Sequence, residues 1–366
     1  MRICFVGPSN SSHIIKWCNW FSKRGHEVHV ISFTNDKIES ATVHSINIGV
    51  NPNGSDVSKL KYLFTGKQIK TIINEIKPDI INAHYATSYG IAMALSGVKR
   101  YILSVWGSDI YDFPNRSKLH KELLKYSLKK ATILFSTSQA MADEASKYTN
   151  KKFHITPFGV DMRLFNPDKR NRTSNSPFIV GTVKTLSDLY GIKYIIKAIA
   201  IIKNEYPEAN IIARIAGDGV NSEDYKTLAN KLGVVDKVFF LGRIGQEQAA
   251  IEWANMDVAV IPSVSYESFG VAAVEAQACG IPVIVSAVGG LMETTIADKS
   301  SFVVPVKDAK KIAHFIITLY YDKGLKERMG EAGRRNVESK YELDNCFKRI
   351  EAIYSRIERN LKVNQN

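Results

Sequence analysis

Two α/β domains, each a parallel sheet with helices on both faces, are predicted by three features of this 366-residue chain. Short apolar strands alternate with helical patterns from the first residues onward, and repeated strand–helix–strand units close into parallel sheets. The pattern breaks at 166–177, NPDKRNRTSNSP, where apolar residues vanish and Pro, Asn, Ser and Arg dominate. It then restarts with the same alternation, and the length suits two domains of ordinary size.

In the first half, 2–6 reads as a strand, 14–24 as a helix stopped by Gly25-His26, and 27–33 as the next strand. Further strands are predicted at 79–83, 100–105 and 133–136. After the break come a strand at 178–183, a helix at 192–206, a strand at 211–216 and a helix near 224–232. Strands at 238–241, 258–261 and 283–286 follow, with a helix near 246–254 between the first two. The tail, 343–361, is one charged amphipathic helix with no strand after it. The expected organisation is a first domain over 1–165, a linker over 166–177, a second domain over 178–342 and a closing segment over 343–366. A cleft between the domains is expected.

Composition narrows the class. A hydrophobic fraction of 45% with 23% charged residues fits a globular protein and excludes a disordered one. The net charge of +13 favours anionic partners: phosphorylated substrates, an acidic membrane surface or nucleic acid. Cys4, Cys18, Cys279 and Cys346 are scattered with no CxxC among them, which reads as four reduced thiols in a cytoplasmic protein. No apolar run approaches the ~18 residues of a membrane span.

One stretch is the most informative, ESFGVAAVEAQACGIPVIVSAVGG from Glu267 to Gly290. It sets a loop, a helix N-terminus and a glycine turn around one point at the carboxyl edge of a parallel sheet, where open α/β sheets bind ligands. A helix N-terminus offers free N–H groups and positive dipole to a phosphate, and Gly270 lets the backbone come close. Glu275, about one and a half turns into the helix, could turn toward a ribose diol. The pattern predicts a nucleoside-diphosphate site with a carboxylate, Glu267, beside it.

These motifs, in this order, resemble the retaining GT-B glycosyltransferases of family 4. The resemblance rests on IAGDG at 215–219, VFFLGRI at 238–244, the stretch just described and Glu293. In the first half GHEVHVIS, DIINAHY, SVWGSD and ITPFGVDMRLF carry it. It implies two Rossmann-like domains facing a cleft, the nucleotide-sugar held mainly by the second and the acceptor by the first. It further implies a C-terminal helix crossing back to the first domain. By the same resemblance, Glu267 lies beside the donor sugar and stabilises positive charge at the anomeric carbon, and Glu275 binds the ribose. Ser268 and the backbone of Phe269, Gly270 and Val271 meet the sugar and diphosphate, while Arg243 and Ile244 read the base.

The chain departs from the family pattern in the loop GTVKTLSDLYGIK. Neither Thr182 nor Thr185 is the expected Arg, and Tyr190 stands where a Lys is expected before Gly191. Gly181 and Lys184 complete the donor set, with Lys193 the second choice of cation. In SVWGSD, Trp106 stands where many members carry His.

Asp109, after Gly107-Ser108 at a strand end, reads equally as a helix cap and as a catalytic carboxylate, and joins Glu267 as a catalytic candidate. Ser9, His13 and His84 are the acceptor or cleft candidates, the two histidines read alternatively as buried or capping. No DxD motif occurs, so neither a metal nor a cofactor is expected. Lys118, Lys121, Lys125 and Lys129 form a stripe along the segment SKLHKELLKYSLKKA. It is read either as a solvated helix face or as a contact with anionic membrane.

The predicted function is retaining, metal-independent transfer of a sugar, from a UDP-sugar first, to a hydroxyl of a glycan or lipid-linked glycan. The setting is surface polysaccharide assembly on the cytoplasmic side of a membrane. A GT-B nucleotide-sugar epimerase is the alternative, opposed by the two-glutamate block. A nucleic-acid-binding protein is a further one, opposed by the lack of RNP-like aromatics, zinc spacing or a basic helix followed by heptads.

Overall fold

The computed structural model describes residues 1–48, 62, 64–173 and 176–363. The chain divides into two compact units, one comprising Met1–Pro157 with the chain from Phe347 onward, the other Phe158–Cys346.

The first unit holds strands β1 (Arg2–Val6), β2 (Glu27–Ser32), β3 (Thr42–Ser45), β4 (Ile80–His84), β5 (Ile102–Val105), β6 (Ile133–Ser136) and β7 (Phe153–Ile155). All pair in parallel, in the order β3-β2-β1-β4-β5-β6-β7. Its helices are α1 (Ser12–Lys23), α2 (Gly66–Ile76), α3 (Ser88–Leu95), α4 (Ser108–Tyr111), α5 (Lys118–Lys130) and α6 (Gln139–Ala145). β1 is central and covered on both faces, so Ile3, Cys4, Phe5 and Val6 are all buried, the continuous apolar run of an interior parallel strand. The strand order reverses between β1 and β4, and the loops leaving their carboxyl ends part to opposite faces, which opens a crevice there.

α1 buries Ile14, Trp17, Cys18 and Phe21, at spacings of three, one and three, with Trp20 beside them; these lie on one apolar stripe of a 3.6-residue helix. Part of that stripe is covered by the last helix, α14 (Leu343–Val363). Phe347 stacks on Trp20 at 5.4 Å, Tyr354 stacks on Phe21 at 5.4 Å, and the Asn82 amide donates to the Tyr354 hydroxyl at 2.7 Å. Glu351 closes the contact by pairing with Arg24 and His26.

The second unit holds β8 (Phe178–Val183), β9 (Ile211–Ala216), β10 (Val238–Gly242), β11 (Val258–Ile261), β12 (Val283–Ser286) and β13 (Ser301–Val304). They form a parallel sheet in the order β10-β9-β8-β11-β12-β13, which reverses between β8 and β11. Helices α7 (Ile192–Glu205), α8 (Ser222–Lys231), α9 (Gln246–Ala254), α10 (Val271–Ala278), α11 (Leu291–Thr294), α12 (Ala309–Tyr321) and α13 (Lys323–Lys340) complete it. Ile192, Ile195 and Ile199 of α7 pack with Ile312 and Ile316 of α12 and with Val180, Val258 and Ile284 of the sheet as one buried cluster.

The division falls after Pro157 rather than at 165, and the segment expected as a linker is bound into the second unit. Arg170 and Arg172 both pair with Asp257, a buried carboxylate at the head of β11 that Lys326 also reaches at 2.8 Å. Burial alone would raise the Asp257 carboxyl. The Lys326 ammonium, the Arg172 guanidinium and the Ile179 N–H hold it down at about 2. The arginines that made 166–177 look like linker composition are ligands of this one acid.

All four cysteines are free and buried, and burial pushes the Cys4, Cys18 and Cys279 thiols up to about 12. Among the described residues no helix is long and apolar enough to cross a membrane.

Candidate active site

In the second unit the loops leaving β8 and β11 meet at the reversal point of the sheet. Lys184, just beyond β8, has its backbone N–H bonded to Ala216 O at 2.9 Å, and Gly217 (φ +134°) lies so close that a Cβ there would stand 1.9 Å from Lys184 O. The loop after β11 is clamped likewise: Gly290 N–H donates to Glu267 O at 2.8 Å, and a Cβ on Gly289 would fall 2.3 Å from that same oxygen. Only glycine permits these approaches.

The two clamps bring one cation and one carboxylate together. Lys184 Nζ is 2.9 Å from Glu267 Oε2, with side chains only 14% and 9% exposed. The Ser263 hydroxyl donates to the same oxygen at 3.1 Å. Lys184 also lies over the Tyr190 ring, 4.3 Å from its centroid. Beside this group α10 begins after Gly270 (φ +95°), an N-cap residue with no side chain of its own. The cluster therefore combines a partly buried cation, a carboxylate and the first N–H groups of a helix, a set suited to an anion with polar hydroxyls attached.

The remaining second-unit candidates are placed as follows. Phe269 is buried, its ring edge-on to Phe158 and Tyr341, so only its backbone can meet a ligand; Ser268 and Val271 flank it half-buried. Arg243 is exposed and Ile244 half-buried in the loop after β10. Glu275 is half-buried and accepts a hydrogen bond from the Trp253 indole at 3.2 Å. Gly181 differs from expectation. It lies within β8, between Arg214 and Ala259, where a Cβ would stand 2.4 Å from Met256 Cε. That packing explains the glycine without a ligand.

The first-unit candidates are also gathered at a sheet reversal, but most are committed to their own loops. Asp109 has no exposed surface, and its oxygens accept from the N–H groups of Ala86 at 2.8 Å, Gly107 at 2.7 Å and Trp106 at 3.1 Å. Burial pushes its carboxyl up while those N–H groups pull it back. It pins two loops to each other, and the capping alternative describes it better than the catalytic one. Ser9 is equally buried: its hydroxyl meets Thr34 at 2.8 Å and accepts from Asp36 N–H at 3.2 Å.

His84 is fully buried among Phe5, Trp17 and Trp106, and its ring nitrogens find no hydrogen-bond partner among the described residues. Burial, with His13 nearby, holds it neutral with a pKa of about 3. His13 remains half-buried, edge-on to Trp106 at 5.6 Å, and burial and Lys16 lower it to about 4.

Three residues outside the predicted set join these sites. Ser263 ends the PS step after β11, and Tyr190 was visible only as a departure from the family pattern. Tyr85 holds φ +77°, a left-handed conformation costly for an aromatic side chain, with its hydroxyl bonded to Ser108. Nothing local in the sequence marks that conformation.

Comparison with known proteins fits this geometry. Residues 2–138 match the family described as glycosyl transferase 4-like, and residues 166–336 match the glycosyl transferases group 1. An uncharacterised glycosyltransferase of Methanocaldococcus jannaschii is 27% identical over 355 residues, covering 91% of this chain and 90% of that protein. The N-acetyl-alpha-D-glucosaminyl L-malate synthase of Bacillus anthracis is 24% identical over 357 residues, with the same coverage of 91% and 90%. Among solved structures, sucrose-phosphate synthase from Thermosynechococcus elongatus superposes with a TM-score of 0.82 over 98% of this chain and 99% of that one, at 19% identity. Anabaena HepE, solved in complex with UDP, gives 0.78 over 97% and 100%, at 18% identity. The fold is GT-B, two Rossmann-like parallel sheets. With both halves matched and relatives aligned along nine-tenths of its length, the chain belongs to the glycosyl transferases group 1.

Proposed function

We propose that this glycosyltransferase moves a sugar from a nucleoside-diphosphate donor, a UDP-sugar first, to a hydroxyl of a glycan or lipid-linked glycan, with retention at the anomeric carbon and without a metal ion. The observation that carries the reading is the Lys184–Glu267–Ser263 cluster at the β8/β11 reversal, next to the start of α10 after Gly270. UDP comes first because the family resemblance favours it and because a protein of the same fold, HepE, was solved with UDP-glucose.

In the reaction the bond from the anomeric carbon to the phosphate oxygen breaks and a bond from the acceptor oxygen forms on the same face. The acceptor's proton passes to the departing phosphate oxygen. Positive charge grows on the sugar and negative charge on the diphosphate. Glu267 holds the sugar hydroxyls and faces the positive charge; Lys184 and the first N–H groups of α10 face the negative charge. Glu275 takes the ribose, and Arg243 with Ile244 the base. His13 and the half-buried Trp106 are left to face the acceptor, since Ser9, His84 and Asp109 are consumed within the first unit.

The setting we infer is surface polysaccharide assembly on the cytoplasmic face of a membrane. α5 supports it: Leu124 and Leu128 are buried beneath, while Lys118, Lys121 and Lys129 are exposed with Leu119, and Lys125 pairs with Glu122 at 2.7 Å. Vesicles containing an anionic phospholipid are expected to pellet the protein and neutral vesicles to leave it in solution, with Lys118, Lys121, Lys125 and Lys129 all changed to Gln abolishing the difference. Equal pelleting by both vesicle types counts against membrane contact.

A thermal-shift panel of UDP-, GDP- and ADP-sugars tests the donor, because a ligand at a hundred times its Kd stabilises by about 2.7 kcal/mol. Transfer in the presence of EDTA, with the product anomer read by NMR, tests metal independence and retention. An inverted product or complete loss of transfer with EDTA overturns the corresponding part.

A further inference from the structure

The Lys184 ammonium meets the Glu267 carboxylate at 2.9 Å and lies 4.3 Å from the centroid of the Tyr190 ring. Tyr190 is half-buried and packs against the second unit's core. It ends a single 3-10 turn, Asp188–Tyr190, whose Leu189 carbonyl accepts from Val264 N–H at 2.9 Å. The next residue, Gly191 (φ +67°), presses so closely on the loop after β11 that a Cβ would lie 2.0 Å from Pro262 O. A lysine ammonium on a four-carbon stem is otherwise a mobile, strongly hydrated charge, and an aromatic face is one of the few surfaces that holds such a cation without neutralising it.

We propose that Tyr190 is a positioning residue for Lys184, a fixed aromatic rest on which the ammonium pivots from Glu267 to the donor's diphosphate. This rests on the donor reading above. Without ligand, Glu267 holds Lys184 and Lys184 masks Glu267. An incoming diphosphate takes the ammonium, and the carboxylate is released to the sugar hydroxyls in the same movement. The ion pair is thus the waiting state of the site, and the ring keeps the cation from swinging into solvent as it changes partner. No bond is made or broken in this step.

Calorimetric titration with UDP, GDP, ADP and UMP tests the proposal in the full chain. Tyr190→Leu is expected to weaken nucleoside-diphosphate binding roughly tenfold, the size of a partly desolvated cation–π contact, and to leave UMP binding within about twofold. Tyr190→Phe, which keeps the ring face, restores diphosphate affinity. In a Lys184→Met background Tyr190→Leu has no further effect, because the ring acts through the ammonium. In turnover, Tyr190→Leu raises the donor KM more than it lowers kcat. Equal diphosphate affinity in wild type and Tyr190→Leu, or a tenfold loss that persists in the Lys184→Met background, overturns the role of Tyr190. Failure of the wild type to bind any nucleoside diphosphate overturns the donor reading instead.

Discussion

The two units share a sheet topology and a reversal of strand order, yet they use the polar residues at that point in opposite ways. In the second unit Lys184 and Glu267 face each other as an ion pair, their side chains 14% and 9% exposed, held by backbone clamps on either side. In the first unit Ser9, His84 and Asp109 sit at the equivalent edge but are buried, two of them bonded to neighbouring loops and the third enclosed by aromatic rings. One edge sets two opposite charges against each other; the other uses its polar groups to shape loops. Under the function proposed above, the diphosphate's fixed charges meet the first arrangement and the acceptor's hydroxyls and apolar faces the second.

The largest expected effect that sharpens this contrast is on turnover. Glu267→Ala is expected to lower kcat by about 100- to 1,000-fold, the scale of removing one group that stabilises developing charge. Its melting temperature is expected to stay within a few degrees, because the backbone clamps on Glu267 do not need its side chain. Near-normal transfer by this variant would remove Glu267 from the chemistry.

Asp109→Ala is expected to do the converse. It strips the acceptor from three N–H groups, two of them buried, and costs about 3 kcal/mol of first-unit stability, read by denaturant unfolding. A variant of unchanged stability with kcat reduced a hundredfold would return Asp109 to the catalytic set.

Acid separates the units by a smaller margin. His84 is kept neutral by the fold with a pKa of about 3 against an ordinary 6.5, so its contribution is complete above 6.5 and is lost as pH falls toward 3. By pH 5 that loss is about 2 kcal/mol. Asp257, held at about 2 against 3.8, keeps its contribution until the pH drops below 3.8. The first unit is therefore expected to loosen first. Trp17, Trp20 and Trp106 report on it by fluorescence, and Trp253 on the second. Simultaneous loss of both signals between pH 6.5 and 4 would erase the distinction.

Much of this architecture was legible in the sequence, because central parallel strands are continuous apolar runs and β1, β8 and β11 read as such. β3, β7 and β13 escaped notice. They are sheet edges, three or four residues long, and β3 (TVHS) and β7 (FHI) carry polar residues on half-exposed positions. The loops that carry Lys184 and Glu267 were legible because glycines at fixed offsets have few other uses. What composition could not tell is where a polar side chain turns. Asp109 and Glu267 each follow a strand in a glycine-bearing loop, and only the surrounding backbone decides that one meets three N–H groups and the other a lysine. The same holds for Arg170 and Arg172, whose partner Asp257 lies more than eighty residues away.

The covering of α1 by α14 has a consequence for how the molecule is made. Trp20 and Phe21 wait for Phe347 and Tyr354, and Asn82 for the Tyr354 hydroxyl, whereas every residue of the second unit lies in one unbroken stretch. As the chain leaves the ribosome, the part synthesised first is the part completed last. The second unit can close while the first still shows an uncovered aromatic face, and exposed apolar surface of that kind is what chaperones bind and what aggregates. A stalled or truncated product ending before Phe347 would carry a finished second unit joined to an unfinished first.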